Sequence, residues 1–106
     1  MYIFIREDLP HAYQIVQAAH ATHEAGIRFG KTDLPTHFVL VGVRDETALK
    51  ETAVYLERHK IEFEMFFEPD YDTGYTAIAT KPLYGDERKP LKRFNIYTGA
   101  NNETKC

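Results

Sequence analysis

Between Gln17 and Gly26 the chain reads QAAHATHEAG, which puts two imidazoles and a carboxylate, His20, His23 and Glu24, within five residues. Groups of this kind can ligate a metal or move a proton. On a helix His20 and Glu24 stand one turn apart, whereas His23 is rotated from His20 by about 60°. A metal would need a further ligand from elsewhere with its own supporting bonds, and the HExxH pattern is absent. The expectation is therefore no metal site and no cofactor. His20 instead shares a stripe with Tyr13, Gln17 and Glu24. A histidine beside a carboxylate can orient a water or take its proton, so His20 and Gln17 are the candidate pair. His23 reads as a histidine at the edge of the core.

Other chemistry is thinner. Asp70 and Asp72 flank Tyr71, and two close carboxylates can split acid and base roles. Asp72-Thr73-Gly74 has the letters of an aspartic protease motif. Here it follows Asp70-Tyr71 rather than an apolar strand, and turn chemistry accounts for it. There is no glycine-rich phosphate loop and no GxSxG. The only cysteine is Cys106, so neither an intrachain disulfide nor a cysteine-based zinc site can form.

These residues need elements to hold them. Tyr2–Ile5 is apolar and β-prone, and reads as a buried strand stopped by Arg6-Glu7-Asp8. Pro10 suits a first helical turn, and a helix follows from about Pro10 to Ala25. Its apolar stripe (Ala12, Ile15, Val16, Ala19, Gly26 and Ile27, with His23 inside it) should face the sheet, with the Gln17–His20 stripe at the rim. Thr36–Val43 is almost uninterrupted β-branched and apolar, which predicts a central strand buried on both faces. Asp45-Glu46-Thr47 opens a second helix to about His59, with Leu49, Ala53 and Leu56 as its core stripe. Glu62–Phe67 alternates as a third strand, and YTAIAT after the turn EPDYDTG is a fourth. Leu91, Phe94 and Ile96 suggest one further short element.

The order β-α-β-α-β-β predicts an α/β fold: two crossovers make three strands parallel, and a hairpin returns the last antiparallel. Ligands in such sheets sit at the carboxyl ends of the parallel strands. Arg6–Asp8, Arg44-Asp45 and Glu68–Asp72 should therefore border one crevice.

With 106 residues and 43% apolar content, one modest core is expected. The net charge of −3 argues against whole-chain attraction to nucleic acid or to a membrane. The basic residues Lys81, Arg88, Lys89, Lys92 and Arg93 nevertheless cluster near the end. The start MYIFIRED is too soon charged to be a signal peptide, and no apolar run approaches the ~20 residues of a membrane span. A cytoplasmic protein with no membrane partner is expected.

Taken together, Arg6-Glu7-Asp8 with Leu9-Pro10, the helix motif QAAHA, the strand FVLVGV, the second helix, and EPD followed by TAIATKP resemble the type 2 peptidyl-tRNA hydrolases, in a divergent and compact form. The likeness begins at residue 2 and extends to about 83, or to Tyr97 with the last element. It suggests a domain over 1–97 and a polar tail over 98–106. The resemblance implies a three-layer fold, with a four-stranded mixed sheet covered by helices. It implies hydrolysis of the ester joining a peptide to tRNA, without metal. His20, Asp70 and Gln17 would be catalytic. Tyr13, Arg6, Asp8, Thr76 and Asp72 would bind substrate, and Lys81, Arg88, Lys89, Lys92 and Arg93 would hold the nucleic acid. Asp70 keeps the strand lengths matched, whereas aligning Asp72-Thr73-Gly74 with the family's Asp-Ala-Gly requires extra residues before the turn. Tyr13 stands where the family has a lysine, so Arg6 or the basic segment would have to supply that charge. The alternative is a catalytically silent module on the same fold that binds tRNA, a nucleotide or a protein. A homodimer is compatible with either.

Overall fold

The computed structural model describes residues 1–30 and 34–99. Strand β1 (Tyr2–Arg6) leads to helix α1 (His11–Phe29), β2 (Val39–Val43), helix α2 (Glu46–Arg58) and β3 (Phe63–Glu68). A 3-10 turn at Asp70–Asp72 precedes β4 (Gly74–Thr80), and a second 3-10 segment covers Gly85–Arg93. The tail beyond Gly99 lies outside the described residues.

The four strands form one mixed sheet in the order β2-β1-β4-β3. β1 and β2 are parallel, and β4 runs antiparallel to both β1 and β3. The three parallel strands and the antiparallel last strand are as the element order predicts. One expectation fails: the β2 segment is an edge strand beginning at Val39, not a central strand beginning at Thr36, and Phe38 is 62% exposed. The centre belongs to β1, all five of whose residues are buried, and to β4. Burial on both faces also fails, since only Val41 and Val43, which share one face, are buried; a continuous apolar run does not say which edges are paired.

Side-chain alternation sends β1 into two cores. Tyr2 and Phe4 join Val41, Ile78, Leu49 and Leu56 on the α2 side. Ile3 and Ile5 join Ala77, Ala79, Ala21 and Ala25 on the α1 side. The result is a three-layer α/β/α sandwich. α2 begins as its sequence suggests: the Asp45 side chain accepts a hydrogen bond from the Ala48 backbone N–H, and Leu49 and Leu56 are fully buried. The final 3-10 segment seals this side with Leu91. Beyond it the chain crosses the free edge of β2, where Ile96 bridges Val41 and the Tyr97 N–H donates to the Leu40 carbonyl at 2.7 Å.

α1 presents the opposite face from the one its hydrophobic periodicity predicts. Its buried residues are Gln14, Gln17, Ala21 and Ala25, while Ile15 and Ile27 are 72% and 67% exposed. The apolar stripe faces outward, and His23 is exposed rather than at the core edge. On the helical wheel the correction is about half a turn. Two causes act together. The sheet face under α1 carries Ala77 and Ala79 beside Ile3 and Ile5, and Ala21 and Ala25 let the helix pack closely on it. Gln14 and Gln17 also find their hydrogen-bond partners only on this side. A buried polar group that is fully bonded carries little penalty, whereas the same group left unbonded costs about 1–3 kcal/mol.

Candidate functional site

Gln17 is the hinge of the site. It is 1% exposed, and its amide is bonded on both sides. Its Oε1 accepts from the Thr76 hydroxyl at 2.6 Å, and its Nε2 donates to Glu68 Oε1 at 3.0 Å. Thr76 reaches α1 because of a bulge. Phe66 pairs with Ala77 and Phe67 with Tyr75, leaving Thr76 as the additional residue of β4. The alternation of β4 breaks there, since Tyr75 packs toward α2 and Ala77 toward α1. Bulges commonly re-aim a side chain in this way.

His20 lies one turn further along α1 and is exposed. Its ring stacks on Phe66 with centroids 4.5 Å apart and planes within 2° of parallel, so an exposed imidazole has a defined orientation. The Glu68 carboxyl is held below the ordinary glutamate range, first by the Gln17 amide, then by the Asp70 backbone N–H and the charge of His20. The charge of the oriented imidazole therefore reaches a carboxylate kept in its charged form at the carboxyl end of β3, with no direct hydrogen bond between them among the described residues. Such a pair can position a water and accept its proton.

Asp70 does not occupy the place expected for the carboxylate. Its side chain is exposed, its backbone N–H donates to Glu68 Oε2 at 3.3 Å, and its carbonyl accepts from the Thr73 hydroxyl at 2.7 Å. Asp70 shapes the turn, and Glu68 is the carboxylate that meets Gln17. The sequence places Glu68 at the expected crevice but gives it no role there, since Glu62 and Glu64 shortly precede it. Its place at the strand's end was the available signal. Phe66 was also missed, since a ring in an alternating strand reads as core. Asp72 is exposed in the same turn, where Tyr71 and Asp72 take consecutive left-handed conformations (φ 56° and 54°) and Tyr71 is 96% exposed.

Arg6 and Asp8 form a second hydrogen-bonded unit. Arg6 is 8% exposed, and its Nε and Nη2 pair with the two carboxylate oxygens of Asp8 at 2.9 and 2.8 Å. Its Nη1 donates to the Thr73 and Tyr75 carbonyls at 2.6 and 3.0 Å. The guanidinium thus ties the end of β1 to the start of β4, and the Asp8 bond raises its pKa. Opposite it, Glu46 accepts from the Tyr75 N–H at 2.8 Å. Gly74 has φ 81°, and a Cβ there would overlap the Glu46 carboxylate, so glycine is required on both counts. Tyr13, where the resemblance implies a lysine, is half-buried one turn before Gln17.

The basic segment is less uniform than its sequence suggests. Lys81 and Lys89 lie 3.9 and 3.5 Å from Glu87 and Asp86, and Arg88 lies over the Tyr2 ring. Lys92 is exposed, and Arg93 packs over the Tyr55 and Phe94 rings. Among the described residues no three His, Cys, Asp or Glu side chains come together as a metal site, and no helix is long and apolar enough to cross a membrane. Comparison of the chain with protein-family models and with curated proteins returns no match.

Proposed function

We propose that the chain hydrolyses the ester joining a peptide to tRNA, with His20 and Glu68 as the working pair. The observation that carries this reading is the exposed His20 ring stacked on Phe66 beside a Glu68 carboxylate fixed by Gln17. A water held between them loses its proton to His20 as its oxygen attacks the ester carbonyl. The same proton then goes to the departing ribose oxygen. Glu68 stabilises the imidazolium that forms in between. Gln17 and Thr76 are positioning residues: buried, they hold Glu68 rather than meet substrate. The resemblance of QAAHA and EPD…TAIA to the peptidyl-tRNA hydrolases supplies the substrate class.

The test is release of free tRNA from purified N-acetyl-aminoacyl-tRNA. Wild type should exceed the spontaneous rate, and His20→Ala should lose about 100-fold or more, the lower range for a general base. Wild-type turnover no faster than His20→Ala would sink the proposal. Comparing Glu68→Gln with Asp70→Asn decides which carboxylate serves, with the larger loss expected at Glu68.

The silent binding module draws support from a different observation. Arg6, the nearest substitute for the lysine that Tyr13 replaces, commits its guanidinium to Asp8, Thr73 and Tyr75. It is favoured if tRNA binds with no turnover and His20→Ala leaves the affinity unchanged.

A further inference from the structure

The crevice at His20 is not where the chain gathers its uncommitted positive charge. At the opposite corner of the sandwich, on the α2 side of the β2 edge, lies an open groove of about 580 Å³ between α2 and the end of the last 3-10 segment. Three arginines line it, Arg44, Arg58 and Arg93, with Glu51 as the one acid. In a chain of net charge −3 this is a local reversal of sign. The arginines come from three separate elements, and only Arg93 belongs to the basic stretch near the end of the chain.

The groove also has an aromatic floor. Tyr55 and Phe94 meet edge to face at 5.5 Å and 88°, and the Tyr55 hydroxyl donates to the Pro90 carbonyl at 2.7 Å. Arg93 lies 4.8 Å from the Tyr55 ring centroid and 5.4 Å from that of Phe94. Contact with two rings restricts its planar guanidinium while leaving its N–H groups for a ligand. Among the described residues neither Arg93 nor Arg58 has an acidic partner, and Arg44 has only Asp45 at 3.3 Å through Nε. Guanidinium forks match phosphate oxygens two at a time, and an arginine held on a ring forfeits less freedom on binding. Flat bases stack on aromatic rings and on guanidinium planes. Glu51 would repel a bare anion but can accept from the N–H groups of a base.

We propose that this groove binds a nucleotide unit, either free or as an unpaired residue of an RNA strand. Its phosphate would lie on Arg44, Arg58 and Arg93, and its base against Tyr55 and Phe94. An acidic peptide would meet Glu51 unfavourably and has no flat group to stack on an aromatic ring. The inference does not depend on ester hydrolysis: binding here is expected to survive His20→Ala.

The experiment titrates the full chain with adenosine monophosphate, an eight-nucleotide single-stranded RNA, inorganic phosphate and a polyglutamate peptide. It follows the Tyr55 and Phe94 ring resonances and the affinity. Nucleotide or RNA should shift both rings, and Arg58→Ala with Arg93→Ala should weaken binding at least tenfold. Arg58→Ala alone, which removes no hydrogen bond or ion pair with a described residue, should weaken it in the same direction without disturbing the fold. Arg28→Ala, on the far side of the sheet, should not. For RNA, the log–log dependence on salt should have a slope of roughly −0.7, from the one phosphate that the three arginines neutralise. Equal binding of mononucleotide and RNA identifies a free nucleotide as the ligand; binding of RNA alone identifies a strand. The proposal is overturned if neither binds, if the arginine variants bind unchanged, or if phosphate or polyglutamate binds as tightly at the same rings.

Discussion

At the scale of single residues, the site depends on one buried amide. Gln17 links a hydroxyl that would otherwise have no acceptor to a carboxylate whose orientation it fixes. Thr76→Val removes the donor and leaves Gln17 Oε1 unsatisfied in a closed environment. A loss of about 1–3 kcal/mol is expected in urea unfolding, with the fold retained. Glu68 gives a pH signature. Its carboxyl is depressed in the folded chain, so it contributes stability that is fully present above the unfolded carboxyl range and is lost as pH falls through the folded value. Stability should therefore drop on acidification, and Glu68→Gln should flatten that drop. An equally steep acid limb in the variant would show that other carboxylates account for it. Gln17 and Thr76 were legible as candidates because QAAHA and TAIA set them apart. Glu68 was not, because its one local signal, a place at the strand's end, is nearly shared by Asp70 two residues on.

At the scale of elements, α1 is the instructive case. Hydrophobic periodicity describes a real apolar stripe, but α1 meets the sheet through Ala21 and Ala25 packed on Ala77 and Ala79 beside Ile3 and Ile5, and the glutamines claim the other buried positions. The structure makes opposite statements about two sets of positions. Ile15→Ser and Ile27→Ser should change stability by no more than about 0.5 kcal/mol, as exposed substitutions do. Ala21→Leu or Ala25→Leu should cost about 1–3 kcal/mol by overpacking. Thermal or urea denaturation of the four variants would distinguish the faces, and the reverse ranking would restore the periodicity-based orientation. α2 contrasts with α1. Its cap at Asp45 and its stripe of Leu49 and Leu56 are read directly from the sequence, because partner and pattern lie within the same few residues.

At the scale of the whole molecule, two long-range ties hold the layers in register. Arg6 joins β1 to the start of β4, and Tyr97 carries the C-terminal segment back across the β2 edge to α1, donating to Gln14 Oε1 at 2.6 Å. Arg6→Ala should cost about 1.5–3 kcal/mol, the range for bonds to a charged group, and should loosen the turn at residues 70–74. Faster amide exchange at Thr73 and Tyr75 than at the centre of β4 would register it; uniform protection would contradict the tie. The arginine groove belongs to this scale as well, since its cations converge only after β2, α2 and the last segment have packed.

The sequence by itself determined the element order, the three parallel strands with an antiparallel return, the capped second helix and the absence of any intrachain disulfide. Each follows from interactions among near neighbours or from composition. Only the tertiary structure decided which strands lie at the centre, which face of α1 is buried, that a bulge turns Thr76 toward Gln17, and that Glu68 rather than Asp70 meets it. It also decided where the arginines gather. These outcomes depend on partners far apart in the chain, on the volume facing each helix and on where every buried polar atom finds its match. A pattern read along one segment carries no information about the surface that segment will meet.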